Sequence, residues 1–377
     1  MISVAALFGV FACSLFVSYA AVGAFRRLAF SWGIVAIPNE RSSHSRAVPL
    51  GGGVVLVVVN LAGWIWYAET HGQFSRVLVY MVASALLIGA ISLLDDLRHV
   101  PVGIRILVHL TAATVVVFGI GHWSQVEFPV VGLISIGVLG VPLTVIWIVG
   151  LINSYNFMDG LDGMAAGQAS TAGIGWLVLG WATGHHSLAV MGALLAATSL
   201  GFLIHNWQPA SIFMGDVGST FLGYSLAILP VIAAMYDPRF VLVGVLLVWP
   251  AIFDSGFTVL RRLSRHENVL TGHRSFLFHR LVYCGWSHAG AASLYTALPL
   301  LGAGLAFSWE YNNRLTHLGA AVGLCLLCLG LWLLVRHQER QLLGGMEAPI
   351  SQVLLEGADR TTADSSVVRS EQYIHEG

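Results

Sequence analysis

The chain has 377 residues, of which 56% are hydrophobic and only 10% charged. Soluble domains carry roughly 25% charge, and repeated apolar stretches of about 20 residues are membrane-spanning helices, so an ordinary soluble fold is excluded. The net charge of −1 gives no sign of a nucleic-acid partner, and all 18 basic residues are Arg, which excludes a lysine-based phosphate loop.

Hydropathy divides the chain into eleven spans, at about 3–24, 49–67, 76–94, 104–120, 137–152, 167–183, 188–205, 220–236, 240–257, 288–308 and 317–335. The expected fold is an all-α polytopic membrane protein of 10–11 transmembrane helices. Residues 1–335 form its membrane domain, and 336–377 a polar tail rich in Thr, Ser and Asp and expected to be mobile. The first span lacks a basic leader and a cleavage site, and is read as a retained helix. The four Cys show no disulfide or zinc pattern; Cys325 and Cys328 share one face of an apolar helix and are read as packing residues.

Between the first two spans lies Arg41-Ser-Ser-His44-Ser-Arg46, followed by Gly51-Gly52-Gly53. Arg41 and His44 are candidates for holding phosphate, and anionic headgroups would suit them equally. The third span ends in Asp95-Asp96. A carboxylate near a bilayer costs ~2.5–3.5 kcal/mol even on mild insertion scales, so it is retained where it acts or is well paired. Adjacent carboxylates point differently on a helix and are expected to serve different partners. A solvated helix end with Arg98 as counter-ion also accounts for them.

The fifth span runs into Asn153-x-x-Asn156-x-x-Asp159-Gly160-Leu161-Asp162-Gly163. On an ideal helix a three-residue row drifts by about 60° per step, so a tighter turn or a break at the glycines is needed to keep the row on one face. Two Asn and two Asp offer oxygens suited to Mg²⁺, or to the hydroxyls and amide of a sugar nucleotide; helix capping is the plainer alternative. Met214-Gly215-Asp216-Val217-Gly218-Ser219 precedes the eighth span, where flanking glycines let a ligand approach the backbone at a helix start. His185-His186, between the sixth and seventh spans, is read as an exposed loop.

From Arg261 to Ser287 the chain is basic and aromatic and is expected to include an interfacial amphipathic helix. Its His273, Arg274, His279 and Arg280 offer imidazoles and guanidinium forks for a pyrophosphate, while Asp254, just before Arg261-Arg262, is a candidate ion-pair partner. Counting Arg in the loops gives fifteen on one side and three (Arg76, Arg239, Arg314) on the other. The positive-inside rule then puts the N-terminus in the periplasm and the C-terminus in the cytoplasm. Every acidic cluster falls on the cytoplasmic side, although only Arg positions set that orientation.

In order along the chain, Asn39-Glu-Arg-Ser-Ser-His44, the glycine triplet, Leu94-Asp95-Asp96, Asn156-Phe-Met-Asp159-Gly-Leu-Asp162-Gly and Phe213-Met-Gly-Asp216-Val-Gly-Ser resemble the polyprenyl-phosphate N-acetylhexosamine-1-phosphate transferases. The resemblance spans about residues 39–281. It implies transfer of a sugar 1-phosphate from a UDP-N-acetylhexosamine to undecaprenyl phosphate at the bacterial inner membrane. Mg²⁺ would be the cofactor, with Mn²⁺ as substitute, and UMP the leaving group. It implies catalysis at Asp95 and Asp96, metal binding at Asp216, Asn156 and Asp159, and substrate contacts from Asn153, Asp162, Arg105 and the basic residues of the two loops. A homodimer is compatible with it. The family's tight His-x-His-His is here His273-Arg-Ser-Phe-Leu-Phe-His279-Arg280, which resembles the O-antigen-initiating branch and argues against a muramoyl-pentapeptide donor. A cation-coupled transporter is the rival reading, but its carboxylates belong near mid-membrane; a membrane scaffold would need no Asn/Asp row.

Overall fold

The computed structural model describes residues 2–37, 47–71, 76–129, 131–268, 274–310 and 313–343. Thirteen helices account for most of them. In chain order α1 (Val4–Ser31), α2 (Gly53–Thr70), α3 (Arg76–Leu97), α4 (Val102–Gly119), α5 (Gly140–Met158), α6 (Met164–Ala182), α7 (His186–Asn206) and α8 (Asp216–Ala233) form the first part of the bundle. They are followed by α9 (Phe240–Leu247), α10 (Trp249–Ser264), α11 (Leu277–Tyr283), α12 (His288–Trp309) and α13 (Arg314–Leu343). Among the described residues, nine helices are long and apolar enough to cross a membrane, and ten if α9 and α10 form one span. The protein is therefore an all-α polytopic membrane protein.

Each of the eleven expected spans has a helix, with two instructive departures. The ninth is broken: α9 and α10 meet at 75° across Val248. Pro250 explains the break, because proline lacks an N–H and clashes with the preceding turn, yet is at ease in the first turn of a new helix. The sixth, α6, is rich in Ala and Gly and less apolar than its neighbours, but its residues are buried nearly all round, packed on α7 and α12.

At the centre stands α8, buried along its whole length after Asp216 and packed against α5, α3, α2 and α9. Its start touches the start of α2. A Cβ at Gly53 would fall 2.2 Å from the Gly218 Cα, so only glycine allows these two backbones to meet. Threonines of the outer helices bond back to carbonyls one turn earlier, as Thr111 does to Leu107 and Thr114 to Leu110, so these hydroxyl donors are not left bare on an outer face.

Two short antiparallel hairpins escaped the sequence reading. β1 (Val35–Ala36) pairs with β2 (Val48–Pro49) at one end of the bundle, and β3 (Gln125–Phe128) with β4 (Gly132–Ser135) elsewhere. In the segment expected to include an interfacial helix, α11 is short, and Leu277, Phe278 and Leu281 are buried against α12 and α13. The last helix continues to Leu343, eight residues into the segment expected to be a tail; residues 344–377 lie outside the described residues.

Candidate active site at one end of the bundle

The end of α3, the end of α5 and the start of α8 converge, which brings together acidic clusters about 55 to 120 residues apart in sequence. Asp96 accepts the backbone N–H of Asp216 at 2.8 Å and of Val217 at 3.1 Å. It thus caps α8, satisfying N–H groups that have no partner inside the helix and placing negative charge at its positive end. The cap requires Gly215: its φ is +75°, and a Cβ there would lie 2.5 Å from the Asp96 Oδ2. Asp96 therefore orients Asp216.

Its neighbour does something else, as adjacency on a helix predicted. Asp95 accepts the Val100 N–H at 2.8 Å through one oxygen and the Arg105 guanidinium through the other. The same Arg105 Nη1 lies 2.9 Å from the Asp216 Oδ2, so one cation bridges carboxylates from two helices. Arg105 sits in the first turns of α4, where the helix dipole disfavours a cation; the two carboxylates hold it there.

The polar row of α5 splits. Asn153 bonds to the Val149 carbonyl at 2.7 Å and faces His109 at 3.5 Å, away from the cleft. Asn156 reaches the Ser219 hydroxyl at 3.2 Å, on α8 beside Asp216. The helix then ends, with Asp159 as its C-cap and Gly163 at φ +79°, so Asn156, Asp159 and Asp162 all line one cleft. The expected break at the glycines is the one observed. Desolvation by the surrounding protein, and then the charges of Asp216, Asp96 and Asp162, push the Asp159 carboxyl well above the usual carboxylate range. Asp162 accepts the Ala210 N–H at 2.9 Å. Asn206 ties the same two loops together, accepting from the Gly163 N–H at 2.9 Å and donating to the Ile212 carbonyl at 3.0 Å. Sequence reading missed Asn206, whose signal was an amide closing an apolar helix just before Trp207 and Pro209.

The cleft holds about 270 Å³ and is walled by Asp96, Asp159, Asp162 and Asp216, with Leu50 and Phe213 as apolar sides. His279 stands against it: its Nε2 would be 3.3 Å from a Cβ at Gly160. Arg274 is exposed nearby in sequence. Arg280, expected to meet substrate, is instead buried and donates to Glu339 at 2.6 Å, anchoring α11 to α13. Asp254, expected to pair with arginine, bonds to backbone N–H groups of α11. Arg41, His44 and His273 lie outside the described residues. Among the described residues, no three His, Cys, Asp or Glu side chains cluster closely enough to cage a metal by themselves. Mg²⁺ is held by one or two carboxylates together with water and substrate phosphate, so two acidic oxygens and an amide fit that ion.

Residues 78–234 match the family model described as glycosyl transferase family 4, a segment that contains Asp95, Asp96, Arg105, Asn156, Asp159, Asp162 and Asp216. The chain is 31% identical over 273 residues to a probable undecaprenyl-phosphate N-acetylglucosaminyl 1-phosphate transferase of Bacillus subtilis, covering 70% of this chain and 74% of that protein. It is 30% identical to a decaprenyl-phosphate N-acetylglucosaminephosphotransferase of Mycolicibacterium smegmatis, covering 81% and 83%. A phospho-N-acetylmuramoyl-pentapeptide-transferase of Symbiobacterium thermophilum is 32% identical, covering 75% and 86%. Similarity of this extent, running through the residues that build the cleft, makes the chain a member of glycosyl transferase family 4, the polyprenyl-phosphate N-acetylhexosamine-1-phosphate transferases.

Proposed function

We propose that the protein transfers an N-acetylhexosamine 1-phosphate from a UDP-sugar to undecaprenyl phosphate, releasing UMP at the cytoplasmic face of the bacterial inner membrane. The observation that carries this reading is the excess of carboxylate over cation among the described residues of one cleft. Four aspartates line it and a fifth, Asp95, stands beside Asp216 on the shared Arg105, the one cation that pairs with any of them among the described residues. Such an excess suits a divalent cation carrying a pyrophosphate. By sequence the Arg-rich loops adjoin the helix ends that build the cleft, and the positive-inside rule makes that end the cytoplasmic one. The carboxylates stand at helix ends, where an enzyme meets a soluble donor, not at mid-membrane where a transporter would need them.

Asp216 and Asp159 would hold Mg²⁺, with the Asn156 amide oxygen as further donor. Bound there, the ion would neutralise the pyrophosphate and stabilise the UMP leaving group. Asp96 keeps Asp216 aimed at the cleft through its grip on α8. Phe213 lines the cleft, where it would pack against a nucleobase. His279 would donate to phosphate oxygens from the other side. A phosphate monoester has its second pKa near ~6, so the lipid phosphate is mostly dianionic at neutral pH and attacks without a strong general base. Both Asp95 oxygens are already engaged, which suits it to positioning Arg105 better than to taking a proton.

UDP-GlcNAc is the favoured donor, on the names of the Bacillus and Mycolicibacterium relatives. The spread-out His273/His279 pattern and the O-antigen-like pathway it suggests point the same way. The test is UMP release by purified protein given undecaprenyl phosphate, Mg²⁺ and a panel of UDP-N-acetylhexosamines including UDP-MurNAc-pentapeptide. Lipid-dependent release with UDP-GlcNAc or a 6-deoxy relative supports the reading. Release with the muramoyl donor alone would replace its donor, and no release from folded protein would remove its chemistry.

A further inference from the structure

Asp254 lies within α10, outside the segment that the family model matches, and the transfer chemistry above does not use it. Its side chain is fully buried. One oxygen accepts the Leu277 N–H at 2.7 Å and the Thr258 hydroxyl at 3.3 Å. The other accepts the Phe278 N–H at 3.2 Å and the Tyr295 hydroxyl at 2.6 Å. A buried carboxylate is tolerated when donors saturate it, and four donors do so here, from three separate elements. Two of the four are the first N–H groups of α11. The N-cap residue Phe276 makes no side-chain cap, and Asp254 provides one from another helix.

What α11 carries gives this cap its meaning. His279 follows directly on the two bonded amides, and its ring packs on Phe278 at 4.0 Å between centroids, tilted by 32°. Both rings press on Gly160, in the turn between Asp159 and Asp162: a Cβ there would meet Phe278 at 3.0 Å and His279 at 3.3 Å. Phe276 adds a contact with Phe157 at 5.6 Å, at the end of α5. The far end of α11 is tied to α13 through Arg280 and Glu339. With Asp254 at its start and Glu339 near its end, α11 is a clamped strut.

We propose that Asp254 is a positioning residue for the transfer reaction: by gripping the start of α11 it holds the His279 imidazole against the Asp159–Asp162 turn, where the donor phosphates bind. This rests on the function proposed above. A displacement of about 1 Å at a reacting group can cost ~100-fold in rate, so a fixed strut matters even though Asp254 touches no substrate. Asn at this position places an amide N–H₂ opposite donors, so at least one of the α11 bonds is lost.

Two measurements on full-length protein in detergent test the idea: UMP release, and hydrogen exchange of the peptide spanning 275–284. Asp254→Asn is expected to speed exchange of that peptide and to lower kcat about 10–100-fold, with KM for the lipid phosphate unchanged. His279→Ala alone and the double variant are expected to agree within about threefold, because Asp254 acts through His279. Fast exchange with wild-type kcat would overturn the proposal, as would a double variant whose loss is the product of the two single losses. Asp254→Glu keeps the charge and acceptors but lengthens the reach, and serves if the Asn variant does not fold. The same peptide should then stay protected while kcat falls, with no further loss on top of His279→Ala; wild-type kcat in that variant counts against the idea. If wild-type protein releases no UMP, the transfer reading fails by itself, while the exchange data still report whether Asp254 holds α11.

Discussion

Both ends of the bundle carry charge, and they treat it in opposite ways. At the end away from the cleft, Arg239 donates to Asp237 at 2.6 and 2.9 Å and to the Glu310 carbonyl at 2.9 Å, with the Glu310 carboxylate 4.0 Å away. Glu127 lies 3.9 Å from His317. Asp237 and Glu310 share Arg239, and Glu127 has His317. Among the described residues at the cleft end, Asp96 and Asp162 take backbone N–H groups, Arg105 serves Asp95 and Asp216, and Asp159 is left among like charges. The carboxyl groups record the difference. Burial raises Asp237, but the Arg239 hydrogen bonds and charge outweigh it and hold that acid below its ordinary value, whereas Asp159 is driven up. A balanced cluster is sufficient for holding helices together. An unbalanced one needs something from outside, and here a divalent cation with a pyrophosphate is the proposed complement.

The largest effect that would break this contrast comes from Asp216. Asp216→Asn keeps the size and removes the charge, and is expected to cut UMP release by about 10³-fold, or about 4 kcal/mol. Next is Arg105→Ala, which leaves Asp95 and Asp216 without their shared cation. It should lower turnover about 10–100-fold and lower the melting temperature in metal-free buffer, with Mg²⁺ restoring more of the stability than it adds to wild type. Third, Mg²⁺ alone should raise the melting temperature of wild-type protein, since a ligand bound only by the folded state adds about 2.7 kcal/mol at 100-fold its Kd. Asp159→Asn should shrink that shift.

The smallest effect belongs to the balanced end. Arg239→Ala should cost at most about 1 kcal/mol of stability and leave kcat within about twofold. Its pH dependence has a defined sign. Asp237 is depressed in the folded protein, so the pair stabilises above the ordinary carboxylate range, and that stability is lost as pH falls through the lowered value. The melting difference between wild type and Arg239→Ala should therefore be present at neutral pH and close in acid. A difference that grows in acid would contradict the assignment.

Much of this arrangement was legible in the chain because aspartates and asparagines stand out against long apolar segments. Asp95, Asp96, Asn156, Asp159, Asp162 and Asp216 could be singled out that way, and the need for either a tighter turn or a break at the glycines followed from helix geometry, of which the break is observed. Partners were harder to read. Asn153 shares the spacing of Asn156, yet Asn153 turns to a carbonyl of its own helix. Arg280 belongs to a basic run that suggested phosphate, but its partner is Glu339, 59 residues on. Asp254 likewise finds its partners 23 and 41 residues away. The break at Val248 was signalled by Pro250 and obscured by continuous hydropathy, and strands of two and four residues are too short to leave a period.

The most direct test is the Mg²⁺ dependence of UMP release from UDP-GlcNAc and undecaprenyl phosphate, measured side by side for wild type and Asp216→Asn. The account predicts saturable activity in wild type that EDTA abolishes and Mg²⁺ restores, and about 10³-fold less in the variant at saturating metal. Turnover that survives EDTA, or a folded variant within tenfold of wild type, would contradict it.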